Sequence, residues 1–233
     1  RTCKKEHDKA FDIICQIIKN EKLKLSPCPN NFNNKKNIKL ESPMICFTET
    51  PLDHSLNHCK DFGKFGIGFD KQDMINIGAN PVLYIVKERK HYQDELINFY
   101  NYLKRETDNI PFDIRNKISW FLASTQPHTD DIKNITREYY SQREWRIIRI
   151  LPFGITDNEI KKWGSINDIF DINEINVEYE ERIINGTTKS ILIGWLKFKK
   201  SSIRNIIVPK KYKDKALKLR EEEELVNCDV FLI

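Results

Sequence analysis

Between residues 44 and 86 and again near residue 145, apolar residues in this chain come in short runs, each closed off by a proline, a glycine or a knot of charges, and that punctuation favours short strands there. Met44-Ile45-Cys46-Phe47 opens after Ser42-Pro43 and ends in Thr48-Glu49-Thr50-Pro51. Because proline cannot continue a central ladder, Met44 to Phe47 reads as a short buried strand delivering Thr48, Glu49 and Thr50 to a sheet edge. The alternative is a turn at Thr50-Pro51, with Thr48 or Thr50 capping a short helix. Phe65, Ile67 and Phe69 alternate with Gly66 and Gly68. That pattern predicts a strand whose glycine face lets a ligand or another backbone approach closely. Gly63, Gly66 and Gly68 do not form the phosphate-cradling G-x-G-x-x-G, since the spacing runs the wrong way and no long helix pattern follows. Asn76 to Pro81 reads as a turn, and Val82 to Val86 as a third strand.

The fourth run, Glu144-Trp145-Arg146-Ile147-Ile148, sets one carboxylate among arginines at the start of an apolar strand. On an extended strand Gln142, Glu144 and Arg146 share one face. This makes a candidate catalytic edge. The simpler reading is a strand whose exposed face carries an ion pair.

The rest of the pattern is α+β. Ala10, Phe11, Ile13, Ile14, Ile17 and Ile18 follow a helical period and predict an opening amphipathic helix that stops before a polar loop from Pro27 to Lys36. Two helical stretches are expected near Gln93 to Lys104 and Phe112 to Ser124, with Phe99, Tyr100, Trp120 and Phe121 as core residues. A loop from Thr125 to Asn134 then feeds the Glu144 strand. Asn185-Gly186 signals a hairpin, strands follow near Ser190 to Phe198 and Ile203 to Val208, and a last helix lies around Lys211 to Leu225. No repeat or clean linker interrupts the chain, so residues 1–233 read as a single domain.

At 39% hydrophobic and 31% charged residues, with no apolar run of transmembrane length and no signal segment at its start, the sequence describes a cytoplasmic protein with no membrane partner. The six cysteines include no C-x-x-C pair, which argues for reduced core thiols and no metal site. His54, His58 and Cys59 suggest a Cys/His hydrolase or metal reading, but a third ligand would have to come from far away, and surface histidines explain them better. The asparagines of Asn134-Ile135-Thr136 and Asn185-Gly186-Thr187 match glycosylation acceptors, without meaning in a cytoplasmic protein. The net charge of +5 is unevenly spread: from Lys197 to Arg220 ten basic residues face one acidic residue, Asp214. This basic segment, 197–220, either tracks nucleic-acid phosphates or is a solvated helix whose lysines pair with Glu221 to Glu224.

Phe47-Thr48-Glu49-Thr50-Pro51-Leu52, the Phe65 to Phe69 strand, Pro81 to Ile85 and Arg143 to Arg146 occur in an order that resembles the AbiGi-like abortive-infection proteins of bacterial phage defence, over most of residues 40 to 210. Such proteins are distantly similar to ADP-ribosyltransferases. The resemblance implies an ADP-ribosyltransferase-like split β-sheet core with flanking helices, and a transferase or toxin-class enzyme that consumes NAD to modify a protein or nucleic-acid acceptor. It further implies Glu144 as the carboxylate that stabilises oxocarbenium charge on the ribose and Gln142 as the residue facing the acceptor. Thr48, Glu49 and Thr50 would contribute to NAD binding, Phe65 or Tyr84 would stack on nicotinamide, and Arg146 would neutralise pyrophosphate. Either Arg1 would be the tail of a first motif strand whose remainder this sequence does not contain, or that first motif element is absent. AbiGi has also been labelled an antitoxin, which implies instead a non-catalytic regulatory protein binding a partner or nucleic acid.

Overall fold

The structure is a computed structural model that describes residues 2–31, 39–85, 95, 98–99, 101–103, 105–106, 109–127, 129–132, 135–138, 143–148, 175–184 and 187–233. In chain order the first elements are α1 (Thr2–Asn20), β1 (Lys22–Lys24), β2 (Ser26–Asn31), β3 (Lys39–Thr48), α2 (Ser55–Phe62), β4 (Gly66–Phe69) and α3 (Lys71–Asn76). Next come β5 (Asn80–Pro81), β6 (Leu83–Ile85), α4 (Phe112–Ala123), β7 (Thr125–Pro127), β8 (Thr129–Ile132), β9 (Ile135–Glu138) and β10 (Glu144–Ile148). The chain closes with β11 (Ile175–Ile184), β12 (Thr187–Lys197), β13 (Ile203–Val208), α5 (Lys213–Glu222) and β14 (Asp229–Leu232). Helix and sheet are thus mixed, as the α+β reading requires. The chain divides into two compact units, one of Arg1–Leu23, Thr50–Gly78 and Leu196–Ile233, the other of Lys24–Glu49 and Ala79–Trp195.

The first unit is organised by the opening helix and the end of the chain. Phe11, Ile14 and Ile18 recur at helical spacing on α1 and are buried, while Asp12 and Gln16 stay exposed. Their face joins Ile203, Ile206 and Val208 of β13 and Ala216 and Leu219 of α5 in one cluster. Each such fully buried aliphatic side chain contributes roughly 1.5–3 kcal/mol over exposure. The sheet runs in the order β14-β13-β4, with β13 parallel to β14 and antiparallel to β4. The glycines of β4 sit where a neighbour comes close: a Cβ on Gly68 would lie 3.1 Å from Asn205 side-chain atoms, and one on Gly66 3.4 Å from Ile207 Cδ1. The close approach predicted from the Gly/aromatic alternation is therefore made by the adjoining strand.

Two local devices fix this unit's corners. Asp70 caps α3, its Oδ1 accepting from the Gln72 and Asp73 amides at 2.9 and 3.1 Å, while Oδ2 accepts from the Arg204 guanidinium at 3.1 Å. The Asp73 amide above all, with Arg204, holds the Asp70 carboxyl below the usual carboxylate range. Cys228 is a core thiol, pushed up by burial to about 11. Neither Thr48 nor Thr50 caps the helical segment after Pro51: a short 3-10 turn, Leu52–His54, leads into α2, and Ser55 Oγ donates back to the Leu52 carbonyl at 2.5 Å. His58 stacks on Phe62 in α2, with centroids 4.4 Å apart, and no group of His, Cys, Asp or Glu suited to a metal occurs among the described residues.

The second unit contains a sheet in the order β2-β3-β10-β5. Its register differs from the sequence reading in an instructive way. The strand expected from Met44 to Phe47 extends from Lys39 to Thr48 and runs through Pro43. On one side Pro43 stands opposite Pro27 of β2, and on the other the described ladder to β10 ends at Ile148 opposite Met44. Proline is tolerated because the ladder there is one-sided among the described residues. The expected Pro27 to Lys36 loop is in its first part the strand β2, recruited by pairing with β3; 32–38 lie outside the described residues.

The expected Thr125 to Asn134 loop is likewise largely strand, β7 pairing parallel to β6 and β8 antiparallel to β9. The strands on either side of Asn185-Gly186 are β11 and β12, which are sheet neighbours; 185–186 lie outside the described residues. Helix α4 overturns the core assignment of its aromatics. Trp120 and Phe121 are 40% and 44% exposed, and Phe99 is 42% exposed, while Arg115, Ser119, Leu122 and Ala123 are buried. On the buried face of α4 Ser119 Oγ donates to the Arg115 carbonyl at 2.8 Å, and the carbonyl of Ala123 accepts from Arg146.

Candidate functional site

Glu144 stands at the first position of β10, a strand that lies between β3 and β5 and is buried at Ile147 and Ile148. Residues two apart on a strand point to the same face, so Glu144 and Arg146 are neighbours by construction. The Arg146 Nε donates to Glu144 Oε1 at 2.7 Å and its Nη2 to Oε2 at 3.2 Å, a two-pronged pairing that engages both carboxylate oxygens. The remaining arm, Nη1, donates to the Ala123 carbonyl at 2.9 Å. Ala123 is the last residue of α4, where carbonyls lack intrahelical partners and carry partial negative charge, so the guanidinium closes a helix end and a carboxylate together. The side chains are only 3% and 10% exposed for Arg146 and Glu144.

The surroundings hold Glu144 in place. Its amide donates to the Tyr84 hydroxyl at 2.9 Å, and its carbonyl accepts from the Val82 amide at 3.0 Å. Burial, opposed in part by that amide contact, pushes the Tyr84 phenol above its ordinary value. Just before the strand, Arg143 takes a left-handed φ of +44° and its carbonyl accepts from the Glu49 amide at 3.2 Å. Trp145 Nε1 donates to Glu49 Oε2 at 3.0 Å. Thr48 is opposite Glu144 in the register and exposed, with Cys46 opposite Arg146 and also exposed.

The expected site residues that are described fall in both units. Glu144, Arg146, Tyr84, Thr48 and Glu49 come together in the second unit, whereas Thr50 and Phe65 belong to the first. Phe65 there packs edge-on against Tyr212 at 5.1 Å and His7 at 5.5 Å. Tyr84 serves through its hydroxyl on the Glu144 backbone, and Arg146 through Glu144 and a helix end. Gln142 and Arg1 lie outside the described residues. Sequence reasoning missed the role of Ala123. The signal available was the end of the apolar period at Ser124, which marks a helix terminus needing a donor.

These features define an α+β protein of two units, one of which ties a sheet to a helix end through a buried carboxylate and guanidinium. The chain belongs to the family described as "Putative abortive phage resistance protein AbiGi, antitoxin", whose model matches residues 25–209, well over half of its length. Membership places it in phage defence. No curated protein and no solved structure matches the chain. No helix among the described residues is long and apolar enough to cross a membrane.

Proposed function

We propose that this chain is the antitoxin component of an abortive-infection system and acts by binding a protein partner, with Glu144 and Arg146 serving as a structural clamp. The family's description supports the antitoxin role. The observation that carries the non-catalytic reading is the engagement of both Glu144 oxygens by Arg146 in a buried setting. A guanidinium bonded to both oxygens takes one acceptor site on each and neutralises the negative charge that would stabilise a developing cation on a ribose. Here both oxygens face a guanidinium.

A second reading, an ADP-ribosyltransferase-like enzyme consuming NAD, is favoured by one observation: Glu144 and Thr48 stand directly opposite each other at the edge of one sheet, the arrangement in which a carboxylate and a hydroxyl could share a ribose. One experiment separates the two. The purified chain is incubated with nicotinamide-labelled NAD, and in parallel co-expressed with the toxic protein of its own defence system. The antitoxin reading expects relief of growth arrest and no released nicotinamide. Nicotinamide release that disappears in a folded Glu144→Gln variant would overturn it in favour of the enzyme.

A further inference from the structure

Charge is arranged backwards on the last helix. The positive end of a helix macrodipole favours acidic side chains and its negative end basic ones. On α5 and the 3-10 turn that leads into it, Lys210–Tyr212, the positive end carries Lys210, Lys211, Lys213 and Lys215, with Asp214 the single acid of the first turn. The negative end contains Glu221 and Glu222 beside Arg220, the one basic residue of the last turn, and is followed directly by Glu223 and Glu224. This order works against the fold, so the lysines are there for another reason.

Ion pairing inside the molecule does not supply that reason. Among the ten basic residues from Lys197 to Arg220, Lys200 pairs with Glu223, Arg204 with Asp70, Lys215 with Asp8 and Lys218 with Glu222. Lys210, Lys211 and Lys213 are exposed and belong to none of those pairs. Tyr212 holds their backbone in place from beneath. It is 3% exposed, its ring lies against Phe11 and Phe65, and its hydroxyl donates to Asp8 Oδ1 at 2.7 Å.

We infer that Lys210, Lys211 and Lys213 form a contact surface for the phosphate backbone of a nucleic-acid duplex. Lysine is depleted at protein interfaces, and Val226 is the one exposed large hydrophobic among the described residues between 197 and 233, too little for an apolar interface core. Carboxylate partners are best gripped by the two-pronged guanidinium of arginine, whereas Lys210, Lys211 and Lys213 present point charges on flexible stems, Lys211 with its Nζ 5.1 Å from the centroid of the Tyr212 ring. With both aromatics of the segment, Phe198 and Tyr212, buried, base stacking is unavailable and backbone contact remains. The net charge of +5 adds an attractive long-range field. This surface lies in the first unit and is independent of the Glu144 clamp.

The test uses the full chain and a short fluorescein-labelled DNA duplex of mixed sequence, read by fluorescence anisotropy. Three phosphate contacts give an affinity that falls about 40-fold between about 50 and about 200 mM KCl. The variant Lys210→Gln/Lys211→Gln/Lys213→Gln is expected to lose most of that salt dependence and to bind at least about tenfold more weakly at the lower salt. Because the removed charges oppose the helix dipole, its melting temperature should equal or exceed that of the parent. Four results overturn the inference: no duplex binding by the parent at low salt, binding unchanged in the variant, a variant that melts lower than the parent, or competition by polyglutamate as effective as by unlabelled duplex. The last would assign the surface to an acidic protein instead.

Discussion

Replacing Glu144 by glutamine tests whether the carboxylate works as a clamp. The amide has the same shape, so no cavity opens, but the charge that balances Arg146 is gone. The guanidinium, 3% exposed, then keeps the Ala123 carbonyl and a single amide oxygen in place of a bidentate carboxylate. Removing one partner of a buried pair costs about 3–5 kcal/mol, and the retained contacts put this variant near the lower end, about 3 kcal/mol. For a chain of this size each kcal/mol moves the melting temperature by roughly 2–4 °C, so calorimetry should show a fall of about 10 °C. The double variant Glu144→Leu/Arg146→Met removes both charges and fills similar volume. It should recover most of the loss, since an apolar pair often matches a buried ion pair in stability. A fall of less than about 2 °C for Glu144→Gln, or a double variant no better than the single one, would refute the clamp.

Two further outcomes follow from the same geometry. Tyr84→Phe leaves the Glu144 amide at the head of β10 without its acceptor and should cost about 1–2 kcal/mol in urea denaturation. Because burial raises the Tyr84 phenol, its contribution is fully present below pH 10.0 and is lost as pH rises through the higher folded value, so the parent should lose stability there more steeply than Tyr84→Phe. Asp70→Ala removes the cap of α3 and the contact to Arg204 and should lower the melting temperature at neutral pH. As the Asp70 carboxyl is held below 3.8, its stabilisation is present above that value and disappears as pH falls through the lower folded one; parent and variant melting curves should converge in acid, and a gap that persists would show that charge is not the cause.

What could be read from the sequence was set by locality. The period of Phe11, Ile14 and Ile18, the apolar run from Ile203 to Val208 and the Asn185-Gly186 turn signal each specify their element within one segment, and α1, β13 and the neighbouring strands β11 and β12 follow them. Ser26 to Asn31 carries two prolines and two asparagines and becomes a strand only because β3 offers it a partner, a long-range fact with no local trace. Trp120 and Phe121 were misplaced for a related reason: aromatics on a helix predict a core face, but the face of α4 that turns inward is the one whose end must receive Arg146.

The Glu144 cluster shows the limit most sharply. Its sequence, a carboxylate two residues before an arginine on an apolar strand, fits a catalytic edge and an ion pair equally well, because both require the same alternation. Only the position of a third group decides which chemistry is available. In the proposed clamp that group is the Ala123 carbonyl, which accepts from the same guanidinium that donates to both Glu144 oxygens. That third group comes from 23 residues upstream on another element, so no inspection of the strand alone could reveal it. Thr48 stands opposite Glu144 in the register and is exposed, another relation across strands that the alternation of β10 alone does not reveal.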